Sequence, residues 1–87
     1  MPKKYTKAPA ISGRKLIRLL RKDDWIVKRQ AEHGVALAKS FPDRTRVTVI
    51  PNTIVSLDEG TLAAILGPKQ TSIGKRGLLA LINKFGL

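Results

Sequence analysis

The segment WIVKRQAEHGVALAKSFPDRTRVTVI, Trp25 to Ile50, decides the fold. In its first part Trp25, Val27 and Arg29 alternate with Ile26, Lys28 and Gln30, the two-residue period of a β-strand. From Val35 to Ser40 a second strand follows, with Val35 and Leu37 on one face and Ala36 and Ala38 on the other. Phe41-Pro42-Asp43-Arg44 has turn chemistry, since proline fixes one backbone angle and aspartate favours turn hydrogen bonds. Arg46 to Ile50 is the third strand, where Val47 and Val49 alternate with Arg46, Thr48 and Ile50. Connections this short make all neighbouring strands antiparallel. The pattern predicts a covered face that holds Val47 and Val49. The other face, carrying Lys28, Gln30, Arg46 and Thr48 among small residues, is expected to stay wet.

On the N-terminal side, Ser12 to Lys22 reads as a helix with Ser12 as its cap. At 100° per residue, Leu16, Ile17, Leu19 and Leu20 share one side, and Arg14, Lys15, Arg18, Arg21 and Lys22 share the other. Asp23-Asp24 closes this helix, because carboxylates are unfavourable at a helix C-terminus. Beyond Pro51, Ser56 and Glu59 have capping-box spacing. A short helix through Leu62, Ile65 and Leu66 then ends at Gly67-Pro68. A last helix is expected from about Gly74 to Lys84, with Leu78, Leu79, Ile82 and Phe85 on its core face. The expected fold is therefore α+β: a three-stranded antiparallel sheet with helices on one face, in the order α-β-β-β-α-α. Residues 1–11 read as a flexible basic arm, and residues 12–87 as one domain.

The chain has 87 residues, and 17 Lys or Arg stand against 6 Asp or Glu, a formal net charge of +11. At 43% hydrophobic it has enough apolar residues for a core, unlike a disordered polybasic tail. A surplus of this size points to an anionic partner, nucleic acid first, then an acidic membrane surface or an acidic protein. Ten of the basic residues lie between Lys3 and Arg29. No apolar run approaches the length of a membrane span, and no signal peptide follows Met1-Pro2-Lys3-Lys4. With no cysteine, the expected compartment is the cytoplasm.

Most catalytic chemistries find no support. One histidine, no cysteine and six scattered acids do not make a metal cluster, and no cofactor is expected. The glycines lack P-loop spacing and no nucleophile elbow is present. His33, between the first two strands in Ala31-Glu32-His33-Gly34, remains as a candidate acid or base. A lone histidine beside cations suits RNA, whose 2′-hydroxyl attacks the adjacent phosphorus once a base removes its proton. Lys28, Arg29 and Arg46 are candidate phosphate contacts on the strands. Arg14 and Arg18 extend the basic track along the first helix. Only Tyr5, Trp25, Phe41 and Phe85 are aromatic, which favours backbone and 2′-hydroxyl contacts over base stacking.

Several pieces, in order, resemble the HicA toxins, the YcfA-like mRNA interferase family. They are Ser12-Gly13-Arg14-Lys15-Leu16-Ile17-Arg18-Leu19-Leu20, Asp24-Trp25, Val27-Lys28-Arg29-Gln30 and Arg46-Val47-Thr48-Val49-Ile50-Pro51. Leu57-Asp58-Glu59-Gly60-Thr61-Leu62 with Ile65-Leu66 continues the pattern, so that the resemblance runs from about residue 12 to 83. It implies a fold similar to a double-stranded-RNA-binding domain. It also implies an endoribonuclease acting on mRNA, with His33 as its catalytic residue and a HicB-type antitoxin as its partner. Ala31-Glu32 stands where the family usually has Gly-Ser, Gly34 where a second histidine is common, and Asp58 where proline is usual. These departures motivate a second expectation, a non-catalytic RNA-binding module of the same fold.

Overall fold

In a computed structural model that describes residues 10–32 and 34–86, the elements follow the expected order. They are α1 (Gly13–Lys22), β1 (Ile26–Ala31), β2 (Gly34–Ser40), β3 (Thr45–Ile50), α2 (Glu59–Leu66) and α3 (Gly74–Phe85). The strands form one antiparallel sheet in the order β1-β2-β3. No helix is long and apolar enough to cross a membrane.

The start of α1 is as its sequence predicts, since the Ser12 hydroxyl accepts the Lys15 N–H at 3.2 Å. Its end has a cause beyond carboxylate repulsion. Asp24 takes a left-handed conformation, φ 70°, and the Trp25 N–H returns to the Leu20 carbonyl at 3.0 Å while Asp24 N–H reaches Arg21. That is a Schellman turn with aspartate where glycine is usual, and it delivers Trp25 into the core directly after the helix. Asp23 is held separately, its carboxylate 3.4 Å from the Lys39 ammonium.

Burial joins Leu16, Leu19 and Leu20 of α1 to Val35 and Leu37 of β2, Ile50 of β3, Ile65 and Leu66 of α2, and Leu78, Leu81 and Ile82 of α3. The helices therefore lie on one face of the sheet. Ile17 is only half-buried and borders the basic side of α1. On α3, Leu81 takes the deep position expected for Leu79, in keeping with the i, i+3, i+4 stripe from Leu78. Ile11, read as the end of the arm, is buried in this core, and its carbonyl accepts the Leu57 N–H at 2.8 Å. The arm's remaining residues up to Pro9 lie outside the described residues.

The expected assignment of sheet faces is reversed on β3. Cross-strand pairing sets Thr48 opposite Leu37 and Ile50 opposite Val35, so Thr48 and Ile50 face the helices. Val47 and Val49 face away and are exposed. Both sets of β3 positions alternate equally well, and the larger Ile50, Val35 and Leu37 claim the core. Thr48 is tolerated there because its hydroxyl donates to Gln70 Oε1 at 2.6 Å. The same Gln70 oxygen accepts the Val49 N–H at 3.3 Å, which covers part of the free edge of β3. On β1 a bulge at Lys28 shifts the register: Val27 pairs with Leu37, but Arg29 pairs with Ala36 and Gln30 with Val35. Simple alternation therefore fails after Val27, and Arg29 shares the open face with Ile26 while Gln30 turns to the other.

The cap of α2 also differs from expectation. Asp58, not Ser56, is the N-cap, its carboxylate accepting the Thr61 N–H at 2.6 Å. Ser56 instead bridges to Ser12 and so ties the loop after β3 to the start of α1. Gly67 ends α2 in an extended conformation, as expected of a residue that precedes proline. The Lys69–Ser72 connection is anchored by Thr71, buried, whose hydroxyl donates to the Ile65 carbonyl at 2.7 Å.

Candidate nucleic-acid interface

The sheet has two distinct ends. At one, β1 passes into β2 through Ala31, Glu32 and Gly34, and β3 finishes at Ile50. Gly34 is buried there: a β-carbon on it would lie 3.0 Å from Val49 Cγ1 and 3.4 Å from the Ile50 carbonyl oxygen. Pro51 follows, and its carbonyl sits so close to Gly13 that no β-carbon fits at that position. The Arg14 N–H donates to the Thr53 carbonyl at 3.1 Å, and Arg14 Nε donates to Asn52 Oδ1 at 3.3 Å. The β1–β2 turn, the end of β3 and the N-terminus of α1 are thus bound into one corner, with Arg14 exposed on it. His33 itself lies outside the described residues; Glu32 and Gly34, its neighbours in the chain, flank the corner.

From this corner α1 carries its cations away in one direction. Arg14, Lys15, Arg18, Arg21 and Lys22 are all exposed, with no acid in the helix. Arg14, Ile17, Arg18, Arg21 and Lys22 line a shallow groove along it, and Lys15, Arg18, Leu19 and Lys22 meet Phe85 and Gly86 of α3 in a second depression. Asp23 and Asp24 come only after the last turn, so the helix surface keeps a continuous positive potential.

The sequence-predicted cations divide into two groups. Arg14 and Arg18 stand on the α1 track, and Lys28 and Arg29 are exposed on β1 near its turn end. Arg46 belongs with neither. It pairs with Lys39 near the other end of the sheet, five residues along β2 from Gly34, or about 17 Å at strand rise. Its guanidinium donates to the Pro68 carbonyl at 2.9 Å and so holds the α2–α3 connection. Strand proximity in the sequence groups Arg46 with Lys28 and Arg29, but Arg46 belongs to the β2–β3 hairpin and stands beside its turn rather than the β1–β2 turn. What that grouping missed was Gly13, whose close approach to Pro51 brings the α1 cations to the turn end; a glycine directly inside a helix start was the available signal.

Among the described residues no group of three His, Asp or Glu side chains converges on a metal-sized space. Comparison with known proteins gives no match: no family model fits the chain, and no curated protein or solved structure is significantly similar to it.

Proposed function

We propose that this chain is a cytoplasmic endoribonuclease toxin of the HicA type, cleaving mRNA without a metal, and that a HicB-type antitoxin neutralises it. What supports the reading is the joining of three features: the single histidine of the sequence, between Glu32 and Gly34 in the chain, the corner that ties the β1–β2 connection to the start of α1, and the uninterrupted cationic face of α1 leading from it. The α-β-β-β-α-α order with helices on one face supports a double-stranded-RNA-binding-domain-like fold.

In this reading His33 removes the proton from a 2′-hydroxyl. The 2′-oxygen bonds to the adjacent phosphorus, the bond from phosphorus to the 5′-oxygen breaks, and the leaving oxygen takes a proton from the imidazolium or from water. Arg14, Arg18, Lys28 and Arg29 supply positive charge for the phosphates, and Arg46 acts in the fold. RNA cleavage by the purified chain in EDTA, compared with His33→Ala, tests this.

The second reading is a non-catalytic RNA-binding module of the same fold. The altered turn favours it, with Ala31-Glu32 directly before His33 where the HicA family usually has Gly-Ser. Binding of duplex RNA with no cleavage by the antitoxin-free chain distinguishes this reading from the first.

A further inference from the structure

The face of the sheet turned away from the helices is apolar where solvent contact favours polar residues. Register puts Ile26, Ala38 and Val47 in one cross-strand row and Arg29, Ala36 and Val49 in the next. Ile26, Val47 and Val49 are 59%, 51% and 57% exposed. Between them Ala36 and Ala38 lie low, and Ala38, set between Ile26 and Val47, is only 5% exposed, so the face is a shallow trough along β2 whose accessible apolar surface belongs to its aliphatic walls. Arg29 stands in the trough's second row and the bulged Lys28 beside it.

We infer that this face is a docking surface for an acidic amphipathic helix of a partner protein, apolar residues packing on Ile26, Val47 and Val49 and carboxylates meeting Lys28 and Arg29. Charge chooses among the occupants. A second copy brings another +11 and sets Arg29 near its own counterpart, which disfavours self-association. RNA that binds on a sheet face stacks its bases on aromatic side chains, and these rows hold none. Three aliphatic side chains in water, bordered by uncompensated cations, fit a surface that is apolar at its centre and negative at its rim. The inference does not rest on cleavage by His33, but it shares Lys28 and Arg29 with the proposed RNA site, where phosphates and the partner's carboxylates exclude one another.

The test is a methyl NMR titration of the full chain with an amphipathic helical peptide carrying leucines at i, i+3, i+4 and i+7 and glutamates elsewhere. Shifts concentrated on Ile26, Ala36, Ala38, Val47 and Val49 are expected. A Val47→Ser/Val49→Ser variant should bind roughly tenfold or more weakly, by the loss of two buried aliphatic contacts. Ile26→Ser, on a different strand, should weaken binding in the same direction. Val47→Thr/Val49→Thr, which keeps the β-branched shape that suits a strand, should weaken binding in the same direction and keeps folding out of the comparison. The inference is overturned if the shifts fall on α1 alone, or if a leucine-free glutamate peptide binds equally well. It is overturned equally if an RNA duplex moves the Ile26 and Val47 methyls, in the row away from Arg29, or if the free chain dimerises and Val47→Ser/Val49→Ser abolishes the dimer.

Discussion

Gly13 lies against the carbonyl of Pro51, with the carbonyl carbon 2.9 Å from where a β-carbon would stand and the oxygen nearer still. This contact fastens the first turn of α1 to the end of β3, and so decides where the helix cations begin. Gly13→Ala drives the new methyl into the Pro51 main-chain carbonyl, which cannot move aside as the end of a flexible side chain could. A loss of about 1–3 kcal/mol is expected in chemical denaturation. An unchanged midpoint would mean that the corner is looser than described.

The pair Thr48 and Gln70 gives an asymmetric prediction. Gln70→Ala leaves the buried Thr48 hydroxyl without its acceptor and uncovers the Val49 N–H, at a cost of about 1–3 kcal/mol. Thr48→Val replaces the hydroxyl by a methyl of similar shape inside the core and is expected to cost about 1 kcal/mol or less. The more exposed residue thus has the larger effect. Denaturant midpoints in the reverse order would contradict the role given to Gln70.

Asp58 sets an acid dependence. Its hydrogen bond from the Thr61 N–H holds its carboxyl below the usual value of 3.8. A carboxyl lowered on folding stabilises the fold above its unfolded value and loses that contribution as pH falls through the folded one. Melting temperature should therefore drop more steeply below about pH 4 in the wild type than in Asp58→Asn, which keeps a capping oxygen that does not titrate in this range. Parallel curves for the two proteins would remove Asp58 as the source.

The basic face of α1 and Arg46 are separable by salt. Arg14→Ala and Arg18→Ala should each lower the slope of log affinity for duplex RNA against log salt by about 0.7–0.9, one phosphate apiece. Arg46→Ala should leave the slope unchanged and lower stability instead, since Arg46 stands at the other end of the sheet, where its guanidinium donates to the Pro68 carbonyl. A slope change for Arg46→Ala equal to that of Arg14→Ala would return it to the interface.

Local signals carried the fold well. Ser12 as a cap, Pro42-Asp43 as a turn and Gly67-Pro68 as a stop each act within a few residues, and each is found where the sequence set it. Tertiary choices were less legible. Alternation in β3 has two solutions, and only the distant pairing of Leu37 with Thr48 and the side chain of Gln70 selects between them. The bulge at Lys28 carries no glycine or proline to announce it. For the site, the cationic face of α1 was visible from helical periodicity alone. The meeting of that face with the β1–β2 turn depends on Gly13 and Pro51, nearly forty residues apart, and no local pattern encodes it.

The central claim is that His33 performs metal-free cleavage of RNA, and the direct measurement is the cleavage rate of a defined RNA in EDTA by wild type and His33→Ala. The account predicts cleavage by the wild type, 2′,3′-cyclic phosphate ends on the products, and a rate at least about 100-fold lower for the variant. Cleavage by His33→Ala at the wild-type rate, or a wild-type activity that EDTA abolishes, would contradict it.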